Sequence, residues 1–216
     1  PKALADMGSL QDMDSVTLMR PVSKWSVQVP EIRRVKEYID SAFRIAQSNL
    51  PGPVYLEMPL DLLMNWHEDE DPLTAPMPPA RPSGDPASIE RAATLLKQAE
   101  RPSFVIGAQL RWSEDREIVR RFADKVRAPF FLNGMARGGL PFAHECSFTR
   151  SRRQALAESD VIFVFGTPFD FRMDYGRPGT WNPNAKVVQI DLDGAELGKN
   201  RAIDVGIHGD SGLVLK

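Results

Sequence analysis

The sequence has almost nothing with which to cross-link itself or capture a metal. A single cysteine, Cys146, among 216 residues excludes an internal disulfide and a four-cysteine zinc site, because both need several thiols brought together. His67, His144 and His208 lie far apart with no second ligand at metal spacing, so no metal site is expected on these residues. Positive charge is not in excess either: 27 Lys and Arg against 29 Asp and Glu leave a formal charge of −2, which argues against nucleic acid or an anionic membrane as a partner. No apolar run approaches the roughly eighteen residues of a membrane span. The first residues (PKALADMGSL) lack a basic stretch followed by an apolar one, so a cytoplasmic chain is expected, and the missing initiator Met suggests a fragment. G-x-S-x-G, P-loop and H-E-x-x-H motifs are absent as well.

What is present reads as a globular chain, 42% hydrophobic and 26% charged. Prolines crowd residues 72–86 (PLTAPMPPARPSGDP), which therefore read as an extended linker between two packed units, 1–71 and 87–216. The acidic run 67–71 (HEDED) ahead of it reads as a solvated face. In the first unit, Ile32, Val35, Ile39, Ala42, Phe43 and Ala46 keep helical spacing between Glu31 and Asn49, and Val54 to Met58 reads as a short strand ended by Pro59. One helix and one strand cannot close a core, so this unit is expected to be part of something larger.

The second unit alternates strand and helix. Ala87 to Ala99 is helical in spacing, followed by a strand at 102–107 (PSFVIG) and a helix through Ile118, Val119, Phe122 and Val126 with Ser113 as its expected N-cap. Strands follow at 129–132, 161–166 (VIFVFG) and 186–191 (KVVQID), with a helix at 152–159. The strands are continuously apolar instead of alternating, which predicts an α/β fold: a Rossmann-like parallel sheet with helices on both faces, preceded by a partial α/β segment.

In such a sheet the ligand crevice lies beyond the carboxyl ends of the strands. Those segments are Gly107-Ala108-Gln109, the stretch from Asn133 to Gly139, Gly166 to Asp170, and Asp191-Leu192-Asp193, and three of the four carry glycine at or just past the strand. Glycine there permits a tight turn and a close backbone approach to a diphosphate, and a strand-end aspartate can accept from ribose hydroxyls. The same glycines also serve turn geometry alone, and Gly107 to Arg111 holds one glycine where a dinucleotide fingerprint has three. Cys146 beside His144 lacks an orienting partner and reads as a plain loop thiol. These features indicate a nucleotide-binding domain and name no reaction.

Several stretches resemble the thiamine diphosphate enzymes, closest to acetolactate synthase, oxalyl-CoA decarboxylase and 2-hydroxyacyl-CoA lyase. GSLQDMD at 8–14, RPVSKW at 20–25 and LPGPVYLEMPLD at 50–61 are similar to the end of the family's pyrimidine-binding domain. GTPFDFR at 166–172, KVVQIDLD at 186–193, ELGKNR at 196–201 and VGIHGD at 205–210 are similar to its central domain. The resemblance implies that this chain is a fragment of a carboligase or lyase acting on a small 2-oxoacid or acyl-CoA, working as a homodimer or homotetramer with thiamine diphosphate and Mg²⁺. It further implies FAD or ADP in the central domain, with contacts at Gly107, Ala108 and Gln109, at Leu132, Asn133, Gly134 and Met135, and at Gly166, Thr167, Asp170, Asp191, Leu192, Gly209 and Asp210. Gln11 and Lys24 match positions near the family's substrate channel.

Departures accompany the match. Flavin-binding relatives carry an Arg where Pro168 stands and a glycine- and histidine-containing loop where this chain has Ser147 to Arg152, and the Arg-Ser-Arg stretch is closer to the CoA-handling branch. The early glutamate that activates thiamine and the asparagine-ended Gly-Asp-Gly motif that holds its Mg²⁺ are not found here; Gly209-Asp210-Ser211 lacks the asparagines. The fragment alone is therefore expected to be inactive, and no catalytic residue is assigned to it. A stand-alone nucleotide-binding regulatory or scaffold module is the competing reading. A sirtuin-type deacylase is disfavoured because one cysteine cannot build its zinc module.

Overall fold

The computed structural model describes residues 4, 6–10, 12–68, 77 and 79–216, and the chain divides into two compact units, Pro1–Ala80 and Arg81–Lys216. Residues 72–76 and 78 of the proline-rich stretch lie outside the described residues.

The first unit holds α1 (Ser15–Met19), β1 (Trp25–Gln28), α2 (Val35–Gln47), β2 (Val54–Glu57) and α3 (Leu60–Met64). Asp14 starts α1 by accepting from the Thr17 amide at 3.0 Å, as an N-cap carboxylate does. The helix expected from Glu31 opens with a 3-10 turn, Ile32–Arg34, before α2 proper. It ends where Asn49 takes φ of 48°, a left-handed conformation that asparagine tolerates better than most residues. β1 is an element the sequence pattern does not announce, since Trp-Ser-Val-Gln is short and only half-buried. It pairs in parallel with β2, Trp25 opposite Val54, and the Trp25 ring stacks on Tyr38 of α2 at 5.8 Å.

The second unit runs α4 (Pro86–Gln98), β3 (Pro102–Ile106), α5 (Ile118–Val126), β4 (Phe130–Leu132), α6 (Arg152–Glu158), β5 (Val161–Phe165), β6 (Lys186–Asp191), β7 (Val205–His208) and α7 (Ser211–Val214). All five strands are parallel, in the order β4-β3-β5-β6-β7. The apolar strand runs follow from burial on both faces. On β5, Phe163 and Phe165 enter one core with Ile118 and Val119 of α5, whereas Ile162 and Val164 enter the other with Leu156 of α6 and Trp181. Three rings cross the first core side by side, Phe104 lying 4.7 Å from Phe130 and 4.9 Å from Phe163, close enough for offset stacking to add to area burial.

One expectation is corrected. Ser113 does not cap a helix; it closes the 3-10 turn Ala108–Trp112, and its hydroxyl donates to the Asp115 carbonyl at 3.1 Å. It is packed so tightly on Gly212 that a Cβ there would meet Ser113 Oγ at 2.1 Å. α5 begins only at Ile118, after Asp115 has accepted from the Glu117 amide.

Candidate functional site

Between β3 and β4 the chain moves one way across the sheet, and between β4 and β5 it returns to the other side of β3. The β3/β5 junction is therefore the switch point at which open parallel sheets hold ligands. Gly107 ends β3 there and Gly166 ends β5, each needed by its neighbour. A Cβ on Gly107 would lie 2.2 Å from the Gly166 carbonyl oxygen, and one on Gly166, whose φ is 57°, would lie 2.5 Å from Gln109 Cβ. The glycines let Gln109 cross the end of β5 and reach β6. Its Nε2 donates to Asp191 Oδ1 at 2.7 Å and its Oε1 accepts from the Leu192 amide at 3.0 Å, both contacts buried.

Asp191 is fully buried. Burial pushes its carboxyl above the usual carboxylate range, opposed by the Gln109 amide and by the Asp193 amide that donates to Oδ1 at 2.8 Å. Its other oxygen, Oδ2, is buried with no hydrogen-bond partner, as is Oγ of Ser211 at the start of α7. An acceptor left over at a strand end is a position that a donor from a ligand would satisfy, since an unpaired buried polar group is costly.

The other sequence-derived positions divide by what their side chains already do. Leu132 and Asn133 end β4 and line a cavity of about 630 Å³, with Gly134 and the exposed Met135 in the turn that follows. Gly134 approaches Ala108 of the first loop, so the β3 and β4 ends adjoin. Thr167 is buried beside Gly107. Asp170 is held by the Arg172 guanidinium, which keeps its carboxyl below the usual range. Gly209 backs onto Gly84. Asp210 accepts from the Gly212 and Leu213 amides through Oδ1 and pairs with Arg81 through Oδ2 at 2.8 Å. Lys24 belongs to the first unit, where its Nζ donates to the Ser48 and Leu50 carbonyls at 2.6 and 3.0 Å and closes the carboxyl end of α2. Partial desolvation lowers its pKa. Gly52 admits that side chain, a Cβ there meeting Lys24 Cδ at 3.1 Å. Gln11 lies outside the described residues.

The family described as thiamine pyrophosphate enzyme, central domain, matches residues 89–216. The chain belongs to the thiamine pyrophosphate enzyme family. It is 33% identical over 222 residues to the acetolactate synthase isozyme 1 large subunit of Escherichia coli, covering 100% of this chain and 39% of that protein. It is 32% identical over 265 residues to 2-hydroxyacyl-CoA lyase 2 of Xenopus laevis, covering 99% and 40%. Benzoylformate decarboxylase from Polynucleobacter necessarius shares the fold with a TM-score of 0.83 at 21% identity, over 99% of this chain and 41% of the other. The chain spans about two fifths of the length of these proteins.

Two family ligands can be tested against the side chains present. A Mg²⁺–diphosphate site does not fit Gly209-Asp210-Ser211, because both Asp210 oxygens are committed to Arg81 and to the start of α7. Among the described residues no group of three or more His, Cys, Asp or Glu is placed to hold a metal. A nucleotide fits better, since Asp191 Oδ2 at the end of β6 and Ser211 Oγ at the start of α7 are unspent polar atoms. Cys146 is buried, donates weakly to the Ala123 carbonyl at 3.8 Å, and has its pKa raised by burial, so the thiol stays protonated and unreactive.

Sequence reasoning missed the side chains that dominate the cavity beyond β4. Arg137, Arg150, Arg152, Arg153 and Arg172 all line it. The visible signal was three arginines within residues 150–153; the loops that bring Arg137 and Arg172 to join them carry none.

Proposed function

We propose that this chain is the middle part of a thiamine diphosphate-dependent carboligase or lyase, acetolactate synthase-like, which acts on a small 2-oxoacid or acyl-CoA compound. In this reading residues 1–71 complete the pyrimidine-binding domain, residues 72–86 link it onward, and residues 87–216 form the central nucleotide-binding domain. The observation that carries the reading is that similarity runs through both units: a free-standing nucleotide module would account for residues 89–216 but not for the match over 100% of the chain. Thiamine diphosphate, held with Mg²⁺ by other sequence of the parent, supplies the carbanion chemistry. The parent acts in the cytoplasm as a homodimer or homotetramer.

The second unit's own part is to bind ADP or FAD across the ends of β3, β5 and β6. Asp191 Oδ2 accepts a ribose hydroxyl, Gly107, Ala108, Gln109, Gly166 and Thr167 provide the floor, and the turn from Leu132 to Met135 flanks it. Pro168, in place of a fixed cation, favours ADP. The parent protein, supplied with thiamine diphosphate, Mg²⁺ and pyruvate or a 2-hydroxyacyl-CoA, is expected to form acetolactate or to cleave the thioester substrate; failure with both compounds overturns the enzyme reading. Calorimetric titration of residues 1–216 with ADP tests the cleft. Binding is expected and should weaken about tenfold in Asp191→Asn, the loss of one charge-assisted hydrogen bond.

A further inference from the structure

β4 is an edge strand, the outermost of its sheet on that side, and a bare edge is a template for unwanted pairing. Its outer side is covered by a strap, residues 144–148, from the stretch that leads from β4 to α6. The Phe130 amide donates to the Cys146 carbonyl at 2.8 Å and the Phe130 carbonyl accepts from the Phe148 amide at 3.0 Å, so Ser147 lies beside Phe130 as a parallel bridge. The chain then runs through Phe148, Thr149 and Arg150, which form one wall of the cavity beyond β4. Whatever holds the strap therefore holds that wall.

One side chain fastens it. His144 has only 12% of its side chain exposed, and both ring nitrogens are engaged. Nδ1 lies 3.1 Å from the Cys146 amide nitrogen, and Nε2 lies 2.9 Å from Asp124 Oδ1 on α5. A backbone amide can only donate, so Nδ1 has to be the bare nitrogen; Nε2 then carries the ring's proton and donates to Asp124. The grip works in one protonation state only. A proton on Nδ1 sets N–H against N–H, and the amide of buried Cys146 loses its acceptor. The charged groups around the ring return little for that loss. Asp124 is half exposed with Arg120 already 3.9 Å from its other oxygen, and Glu145 is paired with Arg127 at the surface. The Cys146 thiol is turned to the Ala123 carbonyl.

We propose that residues 144–148 are a proton-sensitive strap: neutral His144 holds them on the edge of β4, and a second proton on its ring lets them go. Release bares the outer side of Phe130 and frees the wall from Phe148 to Arg150, so the shape of the cavity follows pH. The inference rests neither on the enzyme reading nor on any ligand. Histidine is the side chain suited to such a change between about pH 5 and 8.

Hydrogen exchange of residues 1–216, resolved by nuclear magnetic resonance and corrected for intrinsic rates, tests it. From about pH 7.5 to about pH 5, protection of the Phe130 and Phe148 amides is expected to fall about tenfold, the effect of one lost hydrogen bond. The Val164 amide, on the fully buried strand β5, should keep its protection. His144→Gln, which has an acceptor and a donor but does not titrate, should show no change with pH. Equal protection of the strap amides at both pH values, an equal fall at Val164, or a fall that survives in His144→Gln overturns the proposal. The ring's own ¹⁵N signals decide if that variant does not fold. Nδ1 is expected to be bare at the higher pH and protonated where the amides lose protection; a ring that keeps one state throughout, or carries its first proton on Nδ1, overturns it.

Discussion

A methyl group at position 107 would sit 2.2 Å from the Gly166 carbonyl oxygen, a backbone atom that cannot step aside without moving β5. Gly107→Ala is therefore expected to lose about 2 kcal/mol or more in urea denaturation. Gly194→Ala, whose Cβ would find nothing nearer than His208 at 4.0 Å, should stay within about 0.5 kcal/mol of the parent. Asp191 makes a prediction in pH. Burial raises its folded-state pKa, so the folded chain holds that proton more tightly than the unfolded chain does. Its contribution is then most favourable below the ordinary carboxylate value of about 3.9 and declines as pH rises through that value to the higher folded one. Asp191→Asn has no such group. Its stability relative to the parent should increase with pH across that window, and a pH-independent difference in urea midpoints would contradict the account.

At the scale of elements, the second unit was largely legible because its strands are buried on both faces and so need no polar alternation. β5, with all five residues buried, is the plainest case. β1 was not legible: its four residues are half-buried at most, and what makes it a strand is pairing with β2, a partner distant in sequence. The start of α5 was misplaced because Ser113 looks like a cap in sequence, while in the fold its hydroxyl is turned to Asp115 and packed on Gly212. The arginine cavity escaped for a related reason, its charges being drawn from separate loops that converge only once β4, β5 and α6 are packed. Two substitutions probe the elements. Phe104→Ala removes the middle ring of the Phe130, Phe104, Phe163 row and should cost about 3–5 kcal/mol. Lys24→Met strips the cation from the carboxyl end of α2 and should cost about 1 kcal/mol, read by chemical denaturation.

For the whole molecule, the two units differ in how much they can bury unaided. Arg81–Lys216 has a five-stranded sheet with a packed core on each face, whereas Pro1–Ala80 has two strands among its described residues, and a two-stranded sheet is marginal without further cover. Residues 81–216 expressed alone should show near-ultraviolet circular dichroism and one sharp urea transition. Residues 1–80 alone should show neither, and a cooperative transition there would contradict the argument. No helix among the described residues is long and apolar enough to cross a membrane.

The Gln109 carboxamide has a consequence for how a nucleotide would be received. Fastened to Asp191 at one end and to the Leu192 amide at the other, it ties the terminus of β3 to that of β6 in one stiff rim. A guest arriving there meets a surface already set, and little rotamer freedom is left to surrender on capture.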